Sequence, residues 1–184
     1  MNLLPPLPSW DALHPLIVHF PIALLIVAPA IIVAGVFLPR HRAGFFLAAL
    51  LMFAIGTISA YIAVSTGEAA ARVAERGVEI NSLLERHETL AENARLLFTI
   101  LTVLWLAIVI GLRVAERRLP AWSHAGLPLV FVAACVPGLL LIAQMAHLGG
   151  RLVHQHGVHA MLPPESEPTT AVASHPTPTL ALTH

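Results

Sequence analysis

The chain contains no lysine; all ten of its cationic side chains are arginine. Ten acidic residues balance them, so the formal charge is zero and no basic surface is available to nucleic acid. Charge of either sign is scarce, at 11% of residues, where a soluble domain carries about 25%. Cysteine is nearly absent as well. Cys135 stands alone inside an apolar run, which excludes an internal disulfide. No basic region precedes the first apolar stretch, so a cleaved signal peptide is not expected. Neither a glycine-rich phosphate loop nor a nucleophile paired with a base can be found, and no catalytic residue is assigned.

Apolar residues fill the space that charge leaves, at 57% of the chain. They fall into four stretches, at about 15–38, 45–66, 94–112 and 127–148, and a helix crossing a bilayer needs roughly 20 such residues. The expected fold is an all-α membrane protein, a four-transmembrane-helix bundle over residues 13–160. Residues 1–12, with Pro5, Pro6, Pro8 and Trp10, read as an interfacial lead-in, because tryptophan favours the headgroup zone. Residues 161–184 are rich in proline, threonine and serine and read as a disordered tail that buries too little to offset its ordering entropy.

Local chemistry shapes each span. Pro15 suits the first turn of a helix, where its missing N–H costs nothing. Pro21 cannot donate to the carbonyl of Ile17 and predicts a kink. Thr57, Tyr61 and Ser65 recur every four residues and predict a polar stripe, while Gly56 and Ala60 predict a close helix approach. Residues 67–93 are charged and free of proline, and they predict helical pieces broken near Gly77, the second continuing into span three. A break at Pro137-Gly138 and a helix end at Gly149-Gly150 are expected in span four.

Four spans put both termini on one side of the membrane. The two short loops on the other side hold Arg40, Arg42, Arg113, Arg117 and Arg118, and short arginine-rich loops stay in the cytoplasm. Both termini are therefore expected on the periplasmic side.

That topology gathers histidines at one face. His14 and His19 open span one within LHPLIVHFPIALL (13–25), His87 precedes span three, and His147 closes span four ahead of His154. Histidine inside a membrane is costly and signals function. Bis-histidine haem b is the first cofactor this set predicts; a Zn, Cu or non-haem Fe site, with Glu88 as a further ligand, is the alternative. His19 with His147 is the first axial pair, since both lie within apolar spans, and His14 with His87 the second. His19 is expected to point into the bundle at depth, with His14 nearer the interface. Gly149 and Gly150 would admit a porphyrin edge, and Arg151 or Arg95 would pair with propionates. His154, His156 and His159 in a soft loop bind metal only adventitiously in this reading.

Four segments together resemble a bacterial membrane-protein family catalogued as domain of unknown function 2231. They are LHPLIVHFPIALL (13–25), Thr66-Gly67 closing span two, RHETLA (86–91) and AHLGGRLVHQHGV (146–158), and the likeness covers about residues 10–160. It implies a multi-pass protein of the bacterial inner (plasma) membrane and marks His14, His19, His87, His147, Gly149 and Gly150 as motif positions. Some relatives are fused to or encoded beside c-type cytochrome modules, which favours haem, electron transfer and a c-type cytochrome or other redox-complex subunit as partner beside the lipid bilayer. The extra histidines of HQHGVH (154–159) depart from the pattern. The expected function is electron transfer or service to a membrane redox assembly, as an accessory subunit rather than an independent enzyme. A cofactor-free structural or assembly subunit is the alternative.

Overall fold

Proline sets the first break in the chain. Helix α1 (His14–Ile17) follows a single 3-10 turn and takes Pro15 in its first turn. It stops at Val18, where the chain steps before α2 (His19–Phe37) begins. Pro21 lacks the N–H that would have bonded Ile17, so the interruption falls where its missing donor requires it. Three longer helices follow: α3 (Arg42–Val73), α4 (Val78–Val114) and α5 (Ser123–His154). The computed structural model describes residues 9–74, 78–115, 119–120 and 122–156.

Four helical segments are long and apolar enough to cross a membrane: Asp11–Phe37, Pro39–Val73, Val78–Val114 and Ser123–His154. They pack as a ring in which α2 lies on α3, α3 on α4, α4 on α5, and α5 back on α2. The diagonal pairs are therefore α2 with α4 and α3 with α5. Both ends of the described chain and the link between α3 and α4 share one end of the bundle.

Several sequence expectations need correction. Pro137-Gly138 does not break α5, and Gly149-Gly150 does not end it; the helix runs unbroken to His154. Gly138 instead lets the Phe98 ring lie against the backbone, where an added Cβ would come within 2.8 Å of it. The charged segment after span two is not a separate surface helix, because α3 continues to Val73. The expected break near Gly77 falls between α3 and α4, and residues 75–77 lie outside the described residues. The polar stripe holds at two of its positions, where Thr57 and Tyr61 both turn to α4 and meet Thr102 at 2.8 Å and Thr99 at 3.3 Å, while Ser65 is exposed.

The core is aromatic and sits away from the terminal end. Trp105 and Phe53 are fully buried, with Phe98 and Phe131 beside them. Trp105 meets Phe46 edge-on at 5.1 Å and Phe131 at 4.9 Å. Lipid tails are as apolar as leucine, so close packing and hydrogen bonds hold such helices together. Thr57 and Thr102 share a 2.8 Å hydrogen bond across α3 and α4, and the Trp105 indole donates to the Phe46 carbonyl at 3.2 Å.

Candidate functional site

Helix α4 has 37 residues, about 55 Å of helix against a hydrocarbon layer of about 30 Å. Its uncharged part is 96–112, and Glu85, Arg86, Glu88 and Glu92 all lie before it. His87 precedes Leu96 by nine positions, roughly 13 Å of rise. It therefore stands beyond the apolar span, at the terminal end of the bundle.

There it turns inward. His87 Nδ1 lies 3.1 Å from the Met145 carbonyl oxygen on α5, and the ring rests against Gly149, where an added Cβ would stand 3.2 Å from Cε1. His14 does the same on α3. Its Nδ1 lies 3.0 Å from the Ala63 carbonyl oxygen and 3.3 Å from Thr66 Oγ1, and a Cβ on Gly67 would stand 3.0 Å from Cε1. Thr66 is fully buried and sends its own proton to the carbonyls of Ile62 and Ala63, at 3.1 and 3.0 Å.

These contacts decide the tautomers. A carbonyl only accepts, so Nδ1 carries the proton in both rings. In the neutral imidazole Nε2 then keeps its lone pair. Fixing one ring nitrogen on a backbone carbonyl is how proteins orient a histidine whose other nitrogen binds a metal. Both rings sit at the terminal end of the bundle, and a protonated His14 would disfavour a charge on His87. Burial holds His87 below the ordinary imidazole value of 6.5, the His14 charge adds to that, and the bond to Met145 works the other way.

The remaining candidates lie elsewhere. His19 and His147 are exposed, so the expected inward aim of His19 is reversed and it is His14 that enters the bundle. Helical phase explains this. His14 is in step with buried Pro21 and Leu25, seven and eleven residues on, whereas His19 falls between those turns. His147 is likewise out of step, five residues beyond buried Ile142. Gly149 admits an imidazole ring rather than standing open for a porphyrin edge, and at Gly150 an added Cβ would meet nothing within 4 Å. The Arg151 Nε donates to Gln155 at 2.9 Å, and Arg95 lies over the Tyr61 ring at 5.1 Å. Glu88 is half-buried, and His156 approaches Glu79 at 4.0 Å. His159 lies outside the described residues. Among the described residues no three or more His, Cys, Asp or Glu side chains gather where they could hold a metal ion.

Sequence reasoning took Thr66-Gly67 only as the close of a span and missed its part in seating His14. The pairing of each helix-mouth histidine with one glycine on the following helix was the available signal.

The chain belongs to a family of predicted membrane proteins, domain of unknown function 2231, whose family model matches residues 10–161. No curated protein and no solved structure matches it.

Proposed function

We propose that this membrane protein binds b-type haem at the terminal end of its bundle, where His14 and His87 would hold it through Nε2, and serves electron transfer or a membrane redox assembly. One observation carries the reading: both imidazoles have Nδ1–H committed to a backbone carbonyl, which leaves two basic Nε2 atoms at the same end of the bundle. Haem iron takes four nitrogens from its porphyrin and needs two from the protein. A structural Zn site needs about four protein ligands, more than the described residues bring together. Bound there, haem supplies a one-electron couple. The protein's part is to orient the two donors, keep their Nδ1 protons in place and exclude water with the helices around them. The arginine-rich short loops favour placing this end on the periplasmic side of a bacterial inner membrane, within reach of a c-type cytochrome or another redox subunit.

The rival is a cofactor-free structural subunit in which the same hydrogen bonds only clip helices together. Protein purified from a haem-replete host separates the two. A Soret band that shifts on dithionite reduction is expected, and its absence overturns the haem reading. His14→Asn and His87→Asn sharpen the test, because the asparagine amide can still donate near the Nδ1 position but offers no donor in place of Nε2. Each should lose the low-spin bis-imidazole spectrum. A wild-type spectrum in both variants overturns the ligand pair.

A further inference from the structure

Three contacts of the first hairpin recur in the second. His14 bonds the carbonyl of Ala63 and lies against Gly67, four residues further on; His87 bonds the carbonyl of Met145 and lies against Gly149, again four residues further on. Deeper in the bundle, Gly56 takes the Leu25 side chain against its backbone and Gly138 takes the Phe98 ring, each with an added Cβ at 2.8 Å. Leu25 follows His14 by 11 residues, as Phe98 follows His87; Gly56 precedes Gly67 by 11, as Gly138 precedes Gly149.

The first helices of the two hairpins thus correspond at an offset of 73 residues and the second helices at 82. Burial follows the same offsets at most positions, although Pro29 and Gly35 are buried where Thr102 and Ile108 are half-buried. Pro21, Leu25, Ala28 and Ile32 are buried on α2, and so are Ala94, Phe98, Leu101 and Trp105, each 73 positions later, on α4. Between α3 and α5 the buried pairs are Phe46 with Pro128, Ala49 with Phe131, Phe53 with Cys135, Gly56 with Gly138 and Thr66 with Leu148, while Thr57, Ala63 and Ile142 are buried without a buried counterpart. Around the ring, exchanging the hairpins carries α2 onto α4 and α3 onto α5, and the members of each pair run in the same direction. That operation is a two-fold rotation about the bundle axis, the parallel kind of internal repeat known in membrane proteins.

We infer that the bundle is two copies of one helical hairpin, and that its ligand site lies on the pseudo-two-fold axis between them, where His14 and His87 are equivalent donors and Gly67 and Gly149 equivalent positioning residues. The site then suits a ligand with two like faces, such as a metallo-macrocycle held by one nitrogen on each side. That a ligand binds between the two histidines, and that it is haem, rests on the function proposed above; the repeat stands on the contacts.

The test compares matched variants of the full chain. Gly67→Val and Gly149→Val should lower the unfolding midpoint in detergent by amounts that agree within twofold, while Gly150→Ala does not lower it; alanine replaces valine at both sites if the valine variants do not accumulate. A fall for one of the pair and none for the other overturns the repeat, whatever the spectrum. In haem-loaded protein, His14→Asn and His87→Asn should convert the low-spin spectrum to the same five-coordinate form, and the double variant should lose the band. One variant abolishing binding while the other keeps the wild-type spectrum overturns the equivalence of the donors. Paired midpoints falling together in a protein with no Soret band support the repeat and overturn the haem reading alone.

Discussion

The two seams between the hairpins are related by the same rotation and built from different chemistry. Where α3 meets α4, Thr57 bonds Thr102, Trp105 donates to the Phe46 carbonyl, and the Phe46 and Trp105 rings meet edge to face. Where α5 meets α2, the corresponding positions are Leu139 with Pro29 and Pro128 with Ile32, and none can make such a bond through its side chain. Inside each hairpin, by contrast, the contacts are alike, with a histidine on a carbonyl and a glycine beneath it. Packing within a hairpin is thus duplicated, while among the described residues side-chain polar pairing marks only one of the two seams. In lipid this matters, because a polar pair names its partner and apolar contact does not.

The comparison can be broken most strongly at the glycines that admit a side chain from the first helix. Gly56→Ala and Gly138→Ala each place a Cβ 2.8 Å from a buried neighbour, Leu25 and Phe98. Each should cost about 1–3 kcal/mol as overpacking, seen as a lower midpoint in a denaturant series. Gly111→Ala meets nothing within 4 Å and should be neutral or stabilising. Equal losses at Gly56 and Gly138 keep the hairpins alike; a loss at one alone parts them.

The unequal seams predict a smaller effect. Thr102→Val removes the bond to Thr57 and should cost about 1 kcal/mol, the usual scale between membrane helices. The double variant with Thr57→Val should cost less than the two single changes added together, since one bond joins them. Additive losses would show that the pair does not set this seam.

The smallest effect is a pH dependence at the site. His87 sits below 6.5 in the folded protein, first through burial and then through the charge of His14. As pH falls below about 6.5, the unfolded imidazole takes up a proton that the folded one resists. Acid therefore favours the unfolded state, and the full stability is present only above that value. The unfolding midpoint should fall between about pH 7.5 and 5.5, and His87→Asn should flatten the fall. An unchanged slope would place the acid sensitivity on other groups.

Much of the fold is legible locally. Proline at 15 and at 21 accounts for a helix that starts at His14 and steps at Val18, since each effect is the presence or absence of one N–H. The site was legible only in part. His14 and His87 were among the named histidines, but so were His19 and His147, and burial within an apolar stretch was the wrong guide to which pair turns inward. Phase with the buried stripe was the better one. The acceptors could not be read at all, because every residue carries a carbonyl and nothing in Ala63 or Met145 distinguishes its own. The repeat was hidden for a related reason: the second hairpin is nine residues longer between its matched positions, so no single period aligns both helices.

The sequence by itself determined the class of the protein, the number of its apolar helices and the small set of histidines at the helix mouths, because these follow from composition and from spacing within a turn or two. Only the tertiary structure decided that His14 and His87 both turn inward at one end of the bundle, which nitrogen each keeps free, and that the two arrangements are copies of one another. Those properties belong to pairs of helices, and a pairing between residues far apart along the chain leaves no mark on local composition or helical period.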